Sequence, residues 1–376
     1  MNRVTICLTN SWTKSWCAPK LVKLSRQTRI ISSFSLLALI SFQLSACAEP
    51  TPEATQVDRG DLKNATQFSD ISAAGPDSSW LVTTHGDLIL ISTQRQQHKA
   101  DIESGQVAVV SFIDSMHGWV VDRKSRTWTT SDGGNSWQLV SSSQQPAPAF
   151  YLPQQLIFVD RLNGWLVGLF SVWQTVDGGK TWEQQFSVST SLEERIGRLY
   201  RAVFINQVAG WVSSSAGLVI QTTDGGKTWK TLAVASDRTD VHDIAFSDEL
   251  TGWLIGRPNG GIYRSEDRGA TWHQQFSSPD DNYLNSVHFV NRNEGWAVGW
   301  RSKGLVNDRE GLVLHTSNRG TNWSENDIGS EEPFFSRVLF YDVQHGWLVG
   351  RDNVYYTENG GESWKIVLKL PAVAQI

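Results

Sequence analysis

The chain has 376 residues and a formal net charge of −5 at pH 7. Its first 47 residues hold six basic side chains and no acidic one, so the remainder carries 27 basic and 38 acidic residues, a net charge of −11. This acidic balance argues against general binding to nucleic acid, whose phosphates attract basic surfaces. All three cysteines lie within the first 47 residues, which excludes disulfides and cysteine-ligated metal sites from the rest of the chain.

The first 47 residues have the features of a bacterial lipoprotein leader. Their basic side chains precede an apolar stretch from Ile30 to Leu44, which is too short for a membrane-spanning helix. The stretch ends in the letters LSAC, which resemble a lipobox, a motif whose cysteine becomes diacylated. We therefore predict a signal peptide over residues 1–46 and lipidation of Cys47. An ordinary secretory peptide with a chance cysteine is the alternative.

Residues 47–67, which follow the leader, contain Pro, Thr and Glu and are predicted to be a lipidated cysteine with a flexible tether. This arrangement predicts a protein of the cell envelope, held by its lipid and facing the periplasm or the extracellular space. In a photosynthetic organism the corresponding compartment is the thylakoid lumen.

The remaining chain repeats a unit that contains a Gly-Trp pair. In each unit a phenylalanine stands seven residues before the tryptophan of the pair, and these tryptophans recur at intervals of 46, 46, 42, 43 and 51 residues. Such an interval is the length of one four-stranded blade of a β-propeller. The Phe/Trp pairs are Phe112/Trp119, Phe158/Trp165, Phe204/Trp211, Phe246/Trp253, Phe289/Trp296 and Phe340/Trp347.

Each unit continues into a turn that resembles an Asp box and ends in a second tryptophan. The carboxylate can accept backbone N–H groups of its own turn, and the glycines permit positive φ. We expect the tryptophan to bury its apolar face while its indole N–H keeps a partner at the turn. We interpret these turns as structural rather than catalytic. The residues at the acidic position are Asp132, Asp177, Asp224, Asp267, Asn318 and Asn359.

A degenerate unit precedes these six. The segment from Ser79 to Val82 resembles the second strand of a blade, and residues 87–93 resemble the third. Ala73 occupies the phenylalanine position, and the Asp box has eroded. The sequence therefore predicts an all-β fold, a single propeller over residues 68–376 with seven four-stranded blades and all Asp-box turns on one face. Six blades is the alternative.

Arginines recur at positions that the blade topology places on the face opposite the Asp boxes. Four follow the second strand, two stand three residues before a repeat phenylalanine, and two precede one of these. Because guanidinium offers a planar fork of donors, such a ring suits a partner that bears carboxylate or phosphate groups. Solvated arginines paired with local acids, such as Glu193 and Glu194, are the alternative. The predicted partner-binding residues are Arg123, Arg195, Arg198, Arg201, Arg257, Trp300, Arg301, Arg337 and Arg351.

The paired Gly-Trp-x-Val-Gly and Thr-x-Asp-Gly-Gly-x-x-Trp units resemble the Asp-box (BNR) propellers, and among them the seven-bladed photosystem II stability/assembly factor family. The resemblance covers roughly residues 68–370. It implies a non-catalytic lipoprotein that binds a membrane protein or an acidic protein segment through a basic patch. We expect a monomer without cofactor or metal, since no nucleotide, metal or catalytic-serine motif is present.

Two other functions stay open at this point. Sialidases and some endoglucanases use Asp-box propellers, but the sequence lacks a Phe/Tyr-Arg-Ile-Pro segment and has only one propeller. Asp243, with Glu193 or Glu194, supplies the acids nearest the arginine ring for a glycosidase mechanism. Alternatively, the protein is an envelope lipoprotein that binds a glycan or another ligand, with Trp300 as a stacking surface.

Overall fold

In a computed structural model of the protein, the described residues are 67–93, 98–100, 102, 106–141, 153–188, 196–234, 240–257, 261–277, 282–304, 308–329 and 332–369. Within these ranges the chain forms 28 strands in seven four-stranded antiparallel sheets, each made of four consecutive strands. The all-β, seven-bladed propeller is therefore confirmed, and the alternative of six blades is wrong. The part of the chain that the structure describes contains no helix long and apolar enough to cross a membrane.

The blades are numbered 1 to 7 in chain order, and the first strand of each is its inner strand, which contacts the inner strands of adjacent blades. The inner strands are β1 Phe68–Gly75, β5 Val107–Phe112, β9 Pro153–Phe158, β13 Leu199–Phe204, β17 Asp240–Phe246, β21 Asn282–Phe289 and β25 Phe335–Phe340. The second strands are β2 Ser78–Thr83, β6 Gly118–Asp122, β10 Gly164–Gly168, β14 Gly210–Ser214, β18 Gly252–Arg257, β22 Gly295–Ser302 and β26 Gly346–Gly350. The third strands are β3 Leu88–Ser92, β7 Thr127–Thr130, β11 Ser171–Thr175, β15 Leu218–Thr222, β19 Gly261–Ser265, β23 Arg309–Thr316 and β27 Asn353–Thr357. The outer strands are β4 His98–Lys99, β8 Gln138–Ser141, β12 Glu183–Ser187, β16 Lys230–Ala233, β20 His273–Phe276, β24 Ser324–Glu325 and β28 Lys365–Lys369.

The Gly-Trp pair interlocks neighbouring blades. Within blade 4, the ring of Phe204 lies over Gly210, and a Cβ on this glycine would stand 2.2 Å from the ring, so no larger residue fits. Trp165 of blade 3 stacks on the same ring at a centroid distance of 3.9 Å, and Trp229 meets it edge-on. Each of the blades 2 to 7 repeats this arrangement, so every repeat phenylalanine is sandwiched between its own glycine and the tryptophan of the preceding blade.

The same tryptophans tie blades together by hydrogen bonds. The indole N–H of Trp165 donates to the carbonyl of Gly225, in the Asp box of the next blade, at 3.0 Å. Such bonds are favourable in a dry interface because an unpaired buried carbonyl costs about 1–3 kcal/mol. Trp80 is the exception, since its N–H has no acceptor in the described residues. The other bonds of this kind are Trp119 to Gly178, Trp211 to Arg268, Trp253 to Arg319 and Trp296 to Gly360.

The Asp boxes form the predicted local hydrogen bonds. In blade 4 the carboxylate of Asp224 accepts the backbone N–H of Thr228 at 2.9 Å and its hydroxyl at 2.6 Å. All six boxes link the third and fourth strands of a blade, so they lie on one face of the disc, which we call the Asp-box face.

The expected partner of the Asp-box tryptophan is absent in most units. The indole N–H groups of Trp137, Trp229, Trp272 and Trp323 are buried and donate to no partner in the described ranges. Only Trp182 and Trp364 donate, to Thr127 and Gly361. The expectation was wrong for these four units. All six Asp-box tryptophans, whether or not they donate, meet the repeat phenylalanine edge-on, so this aromatic contact is the feature that they share.

The interface between blades 7 and 1 is built differently. Trp347 is fully buried there, but blade 1 offers Ala73 in place of a phenylalanine, and the indole N–H of Trp347 has no acceptor in the described ranges. Ser79 replaces the glycine of the Gly-Trp pair. The interface is filled instead by aliphatic and aromatic side chains: Phe68, Leu81, Ile89, Ile91, Val349, Val354, Tyr356 and Leu368.

Candidate functional site

Those predicted partner-binding residues that the structure describes lie around the face opposite the Asp boxes, where the second and third strands are joined and one blade leads into the next. For example, the backbone N–H of Arg123, in the turn after β6, donates to the carbonyl of Gln106 in the connection that leads into the same blade. Cys47 and Arg195 lie outside the described residues, as do Glu193, Glu194 and the side chain of Arg257.

Two of these arginines are exposed and have no acidic partner in the described residues. Arg123 donates from its guanidinium to the carbonyl of Thr84 at 2.6 Å. Arg198 is held by its backbone, whose N–H donates to the hydroxyl of Ser215, while its side chain is exposed. Their charges are therefore available to a partner on this face.

Two others have acidic neighbours. Arg301 forms ion pairs with Glu310 at 3.0 Å and with Glu325 at 2.8 Å. The guanidinium of Arg351 is half-exposed and lies 3.6 Å from the carboxylate of Asp352. These two arginines are therefore paired with local acids, which is the alternative that the sequence left open. The pairing reduces their attraction for a distant anion.

Arg301 belongs to the longest hairpin of the propeller, formed by the eight-residue strands β22 and β23. At its base, Trp300 stacks on Tyr283 of β21 with ring centroids 4.2 Å apart. The guanidinium of Arg309, from β23 on the other side, lies 4.1 Å from the centroid of the Trp300 ring. Because the neighbouring strands on both sides supply these groups, Trp300 stiffens the hairpin rather than presenting an open aromatic surface.

Arg201 and Arg337 lie on inner strands, three residues before the repeat phenylalanine. Both are half-buried, and both donate to backbone carbonyls, Arg201 to Gln154 and Arg337 to Ser336. The equivalent position in other blades carries residues of mixed character, so the ring around the propeller axis is not exclusively basic. These residues are Asp70, Val109, Gln155, Arg201, Asp243, Ser286 and Arg337.

The two acids of this ring connect blades. Asp70 accepts the backbone N–H of Val110 in blade 2 at 3.1 Å, and Asp243 accepts that of Val287 in blade 6 at 3.0 Å. Burial raises the pKa of Asp70 to about 6 and raises the pKa of Asp243, while the Arg201 charge opposes both shifts. Arg201 therefore balances buried carboxylates, and its removal would disturb the fold as well as any site.

Sequence reasoning missed two acids near the predicted site. Asp70 stands three residues before Ala73, and the spacing that singled out Arg201 would have found it once Ala73 was taken as the phenylalanine position. Glu332 is buried in the connection between blades 6 and 7, where its carboxylate accepts the backbone N–H of Arg351 and the side-chain amide of Asn353. No sequence motif around Glu332 would have identified it.

The described residues contain no cluster of three or more His, Cys, Asp or Glu side chains that could hold a metal ion. The acid predicted for a glycosidase mechanism is also poorly placed, since Asp243 is 8% exposed and bound to backbone N–H groups. The exposed guanidinium groups of this face are of a kind that binds anions.

The fold resembles several solved propellers. A structure of YCF48 bound to D1 peptide is 18% identical, with a TM-score of 0.62, and the match covers 79% of this chain and 94% of that one. YCF48 from Cyanidioschyzon merolae is 17% identical, with a TM-score of 0.59 over 79% and 96% of the two chains. The GH74 enzyme of Niastella koreensis is 14% identical, with a TM-score of 0.62 over 80% of this chain but only 54% of that one. At these identities the likeness shows the fold alone.

No curated protein sequence matches the chain. The family model of the photosynthesis system II assembly factor YCF48 matches residues 146–239 and 229–334, which together span half of the chain and include blades 3 to 6. The chain therefore belongs to the YCF48 family of photosynthesis system II assembly factors.

Proposed function

We propose that this protein is a non-catalytic assembly factor, anchored by lipid at Cys47, that binds an acidic or carboxylate-bearing segment of a partner membrane protein. The observation that carries the proposal is membership of the YCF48 family together with exposed guanidinium groups on one face that have no acidic partner among the described residues. One solved member of the fold is a complex of YCF48 with a D1 peptide, which supports a protein segment as the ligand.

The binding surface in this proposal is centred on Arg123 and Arg198, with Arg337 facing the axis and Arg351 beside blade 7. An exposed guanidinium attracts a carboxylate over about 8–10 Å at physiological ionic strength and then forms charge-assisted hydrogen bonds with it. The rest of the protein is acidic and repels an anionic segment. The arginine surface therefore steers such a segment to one face and orients it there.

The proposal is tested with Arg123→Gln, Arg198→Gln and Arg351→Gln combined in one variant. The ligand is a fluorescent D1 peptide, compared with a peptide of the same length in which Asp and Glu are replaced by Asn and Gln. We expect the variant to lose at least about tenfold in affinity, or about 1.4 kcal/mol. The affinity of the parent protein should fall as salt rises.

The matched control replaces three exposed cations of the Asp-box face, Arg161, Lys180 and Lys227, by Gln. This control should bind the D1 peptide like the parent. Unchanged affinity in the first variant would move the site to another surface. Arg201 is left intact in both, because it faces the buried carboxylates of Asp70 and Asp243.

Glycoside hydrolysis is the second candidate, favoured only by the structural likeness to a GH74 enzyme. It requires two carboxylates about 5–10 Å apart over a groove, whereas Asp243 is buried between inner strands. A glycan-binding lipoprotein is disfavoured because Tyr283 and Arg309 cover Trp300. Release of reducing sugar from xyloglucan by the purified protein would overturn the non-catalytic assignment.

A further inference from the structure

The Asp-box face carries an unusual concentration of exposed apolar side chains. Among the described residues, nine large apolar side chains are exposed, and the two that lie elsewhere, Leu139 and Ile366, are on outer strands. The remaining seven stand in the turns of the Asp-box face and are 43–61% exposed. These seven are Met116, Leu162, Val176, Val208, Leu250, Tyr341 and Val343.

Four of the seven occupy one repeat position. Each stands four residues after the repeat phenylalanine, in blades 2 to 5. In all four blades the backbone carbonyl of this residue accepts an N–H from the Asp box of the same blade, at 2.9 to 3.0 Å. Identical backbone bonding places these side chains at the same height above the disc, so they form a flat arc. The arc consists of Met116, Leu162, Val208 and Leu250.

Cations flank the middle of the arc. Arg161 precedes Leu162, and Lys180 and Lys227 stand in the Asp boxes of blades 3 and 4. All three are exposed, and none forms an ion pair in the described residues. The acids of the same turns are turned inward and less exposed, since Asp160, Asp177 and Asp224 accept hydrogen bonds from their own turns. In blades 3 and 4 the exposed apolar side chains therefore stand beside these cations, whereas the exposed acids Glu249 and Glu266 lie in the turns of blade 5, at one end of the arc.

We propose that this flat arc rests on the surface of a lipid bilayer that contains anionic lipids, an inference that rests on the lipid anchor of the proposed function. Apolar side chains enter the headgroup region while neighbouring cations reach lipid phosphates. In a seven-bladed disc, equivalent residues of four consecutive blades are separated by three intervals of about 51°, so the arc spans about 150° of the circumference. A straight partner helix can follow only a short part of such an arc, whereas a planar membrane touches all of it at once.

The small apolar area of the arc indicates that the arc alone does not hold the protein at a membrane. A few half-exposed Met, Leu and Val side chains bury little additional apolar area, at roughly 25 cal/mol per Å². Stable attachment to a membrane takes two signals, and a lipid chain with an apolar and basic patch supplies both. The lipid holds the propeller near the bilayer, and the arc fixes which face it turns toward the lipid. The arginines of the opposite face then point away from the membrane, toward extramembrane segments.

The test measures the depth of single labels on the lipid-anchored protein in phosphatidylcholine vesicles with and without phosphatidylglycerol. Leu162→Cys and Val208→Cys place a bimane fluorophore on the arc, and Lys124→Cys places one on the opposite face as a matched control. Cys7 and Cys17 are removed with the predicted signal peptide and Cys47 carries the lipid, so each variant has a single reactive thiol. We expect the arc labels to be quenched by doxyl lipids and the Lys124 label to be quenched by aqueous iodide.

A second comparison tests the chemistry of the contact. Replacing Arg161, Lys180 and Lys227 together by Gln should reduce quenching of the arc labels by doxyl lipids at least about threefold in vesicles with phosphatidylglycerol, since each cation contributes about 1 kcal/mol near an anionic surface. Circular dichroism confirms that the variants fold.

Three results would overturn the proposal. Arc labels that stay accessible to iodide in vesicles exclude membrane contact, and labels protected only at high protein concentration indicate a second copy instead. Protection only after addition of solubilised membrane proteins indicates a protein partner. Failure of the proposed function gives results that differ from failure of this inference. A protein without a lipid anchor would not float with vesicles, and a protein without a peptide site would fail to bind the D1 peptide in solution.

Discussion

Six of the seven blade interfaces follow one design, and the interface between blades 7 and 1 follows another. In the regular interfaces a tryptophan stacks on the phenylalanine of the next blade, at centroid distances of 3.5 to 5.7 Å. At the seventh, Trp347 is equally buried but has no phenylalanine to stack on, and its N–H, like that of Trp80 at the interface between blades 1 and 2, has no acceptor in the described residues.

The difference shows that the repeat residues depend on one another. Gly210 is required only because the Phe204 ring occupies the space beside it. Where the ring is missing, at Ala73, the glycine is missing too, and Ser79 stands in its place. The first blade has therefore changed as a unit, and the aliphatic residues around Trp347 fill the space that an aromatic stack fills elsewhere.

The largest expected effect is the loss of a phenylalanine from a regular interface. Phe204→Ala should lower the free energy of unfolding by about 3–5 kcal/mol, because it removes a buried ring and two aromatic contacts. Phe68→Ala, at the irregular interface, should cost about 1–2 kcal/mol less, since aromatic pairs add about 0.5–1.5 kcal/mol to burial. Guanidinium denaturation measures both. Equal losses of unfolding free energy in the two variants would mean that aromatic stacking adds nothing to the burial of the ring.

A second experiment restores the regular design in blade 1. Ala73→Phe alone should destabilise the protein, because its ring meets the side chain of Ser79. Combined with Ser79→Gly, the same ring can stack on Trp347. We expect a favourable coupling of about 1–3 kcal/mol in the double-mutant cycle. Additive effects would show that the two positions are independent.

A third pair isolates the indole hydrogen bond. Trp165→Phe and Trp347→Phe remove the same atoms from fully buried sites, but only Trp165 donates to a carbonyl, that of Gly225. Trp165→Phe should therefore cost about 1 kcal/mol more than Trp347→Phe. The measurement is chemical denaturation at constant pH. A larger loss at Trp347 would contradict the assignment of its N–H as unpaired.

The smallest effect concerns the Asp boxes. Hydrogen bonds from Ser136 and Thr228 lower the pKa of Asp132 and of Asp224 to about 2, from 3.8. Carboxylates of this kind stabilise the fold above pH 3.8 and lose that contribution as the pH falls through about 2. Asn318→Asp should therefore raise the melting temperature slightly at pH 7, because the N–H of Asn322 would then bond to a charged oxygen. The gain should vanish below pH 2, and a gain that persisted there would rule out a charge effect.

The repeat made the fold predictable because each unit carries the residues of its own blade. Phe, Gly-Trp and the Asp box lie within one unit and mark its strands and turns. Contacts between units are harder to predict. The ion pair of Arg301 with Glu325 joins residues 24 positions apart in β22 and β24. Asp70 was missed because blade 1 lacks the phenylalanine from which this position is counted. Glu332, which holds the turn at Arg351, lies in a connection without any repeat pattern.

The position of the arginines on the disc was predictable from the sequence, but their ion pairing was not. The spacing of Arg123, Arg198 and Arg351 follows from the blade topology, and the structure places all three on the face opposite the Asp boxes. Whether a given guanidinium is paired depends on side chains brought in from other strands. For the same reason, sequence periodicity alone did not show that Arg201 faces two buried carboxylates.

Each blade consists of four strands that are consecutive in the chain, so no sheet is shared between the two ends of the protein. The natural beginning and end of the propeller are therefore one boundary among seven. A circular permutant that joins the present ends by a short linker and opens the chain between blades 4 and 5 would break no strand pairing. Insertions succeed chiefly at such exposed connections. The ring is thus a modular scaffold, in which the chain can be opened at another connection, or a foreign domain inserted there, without redesign of any sheet.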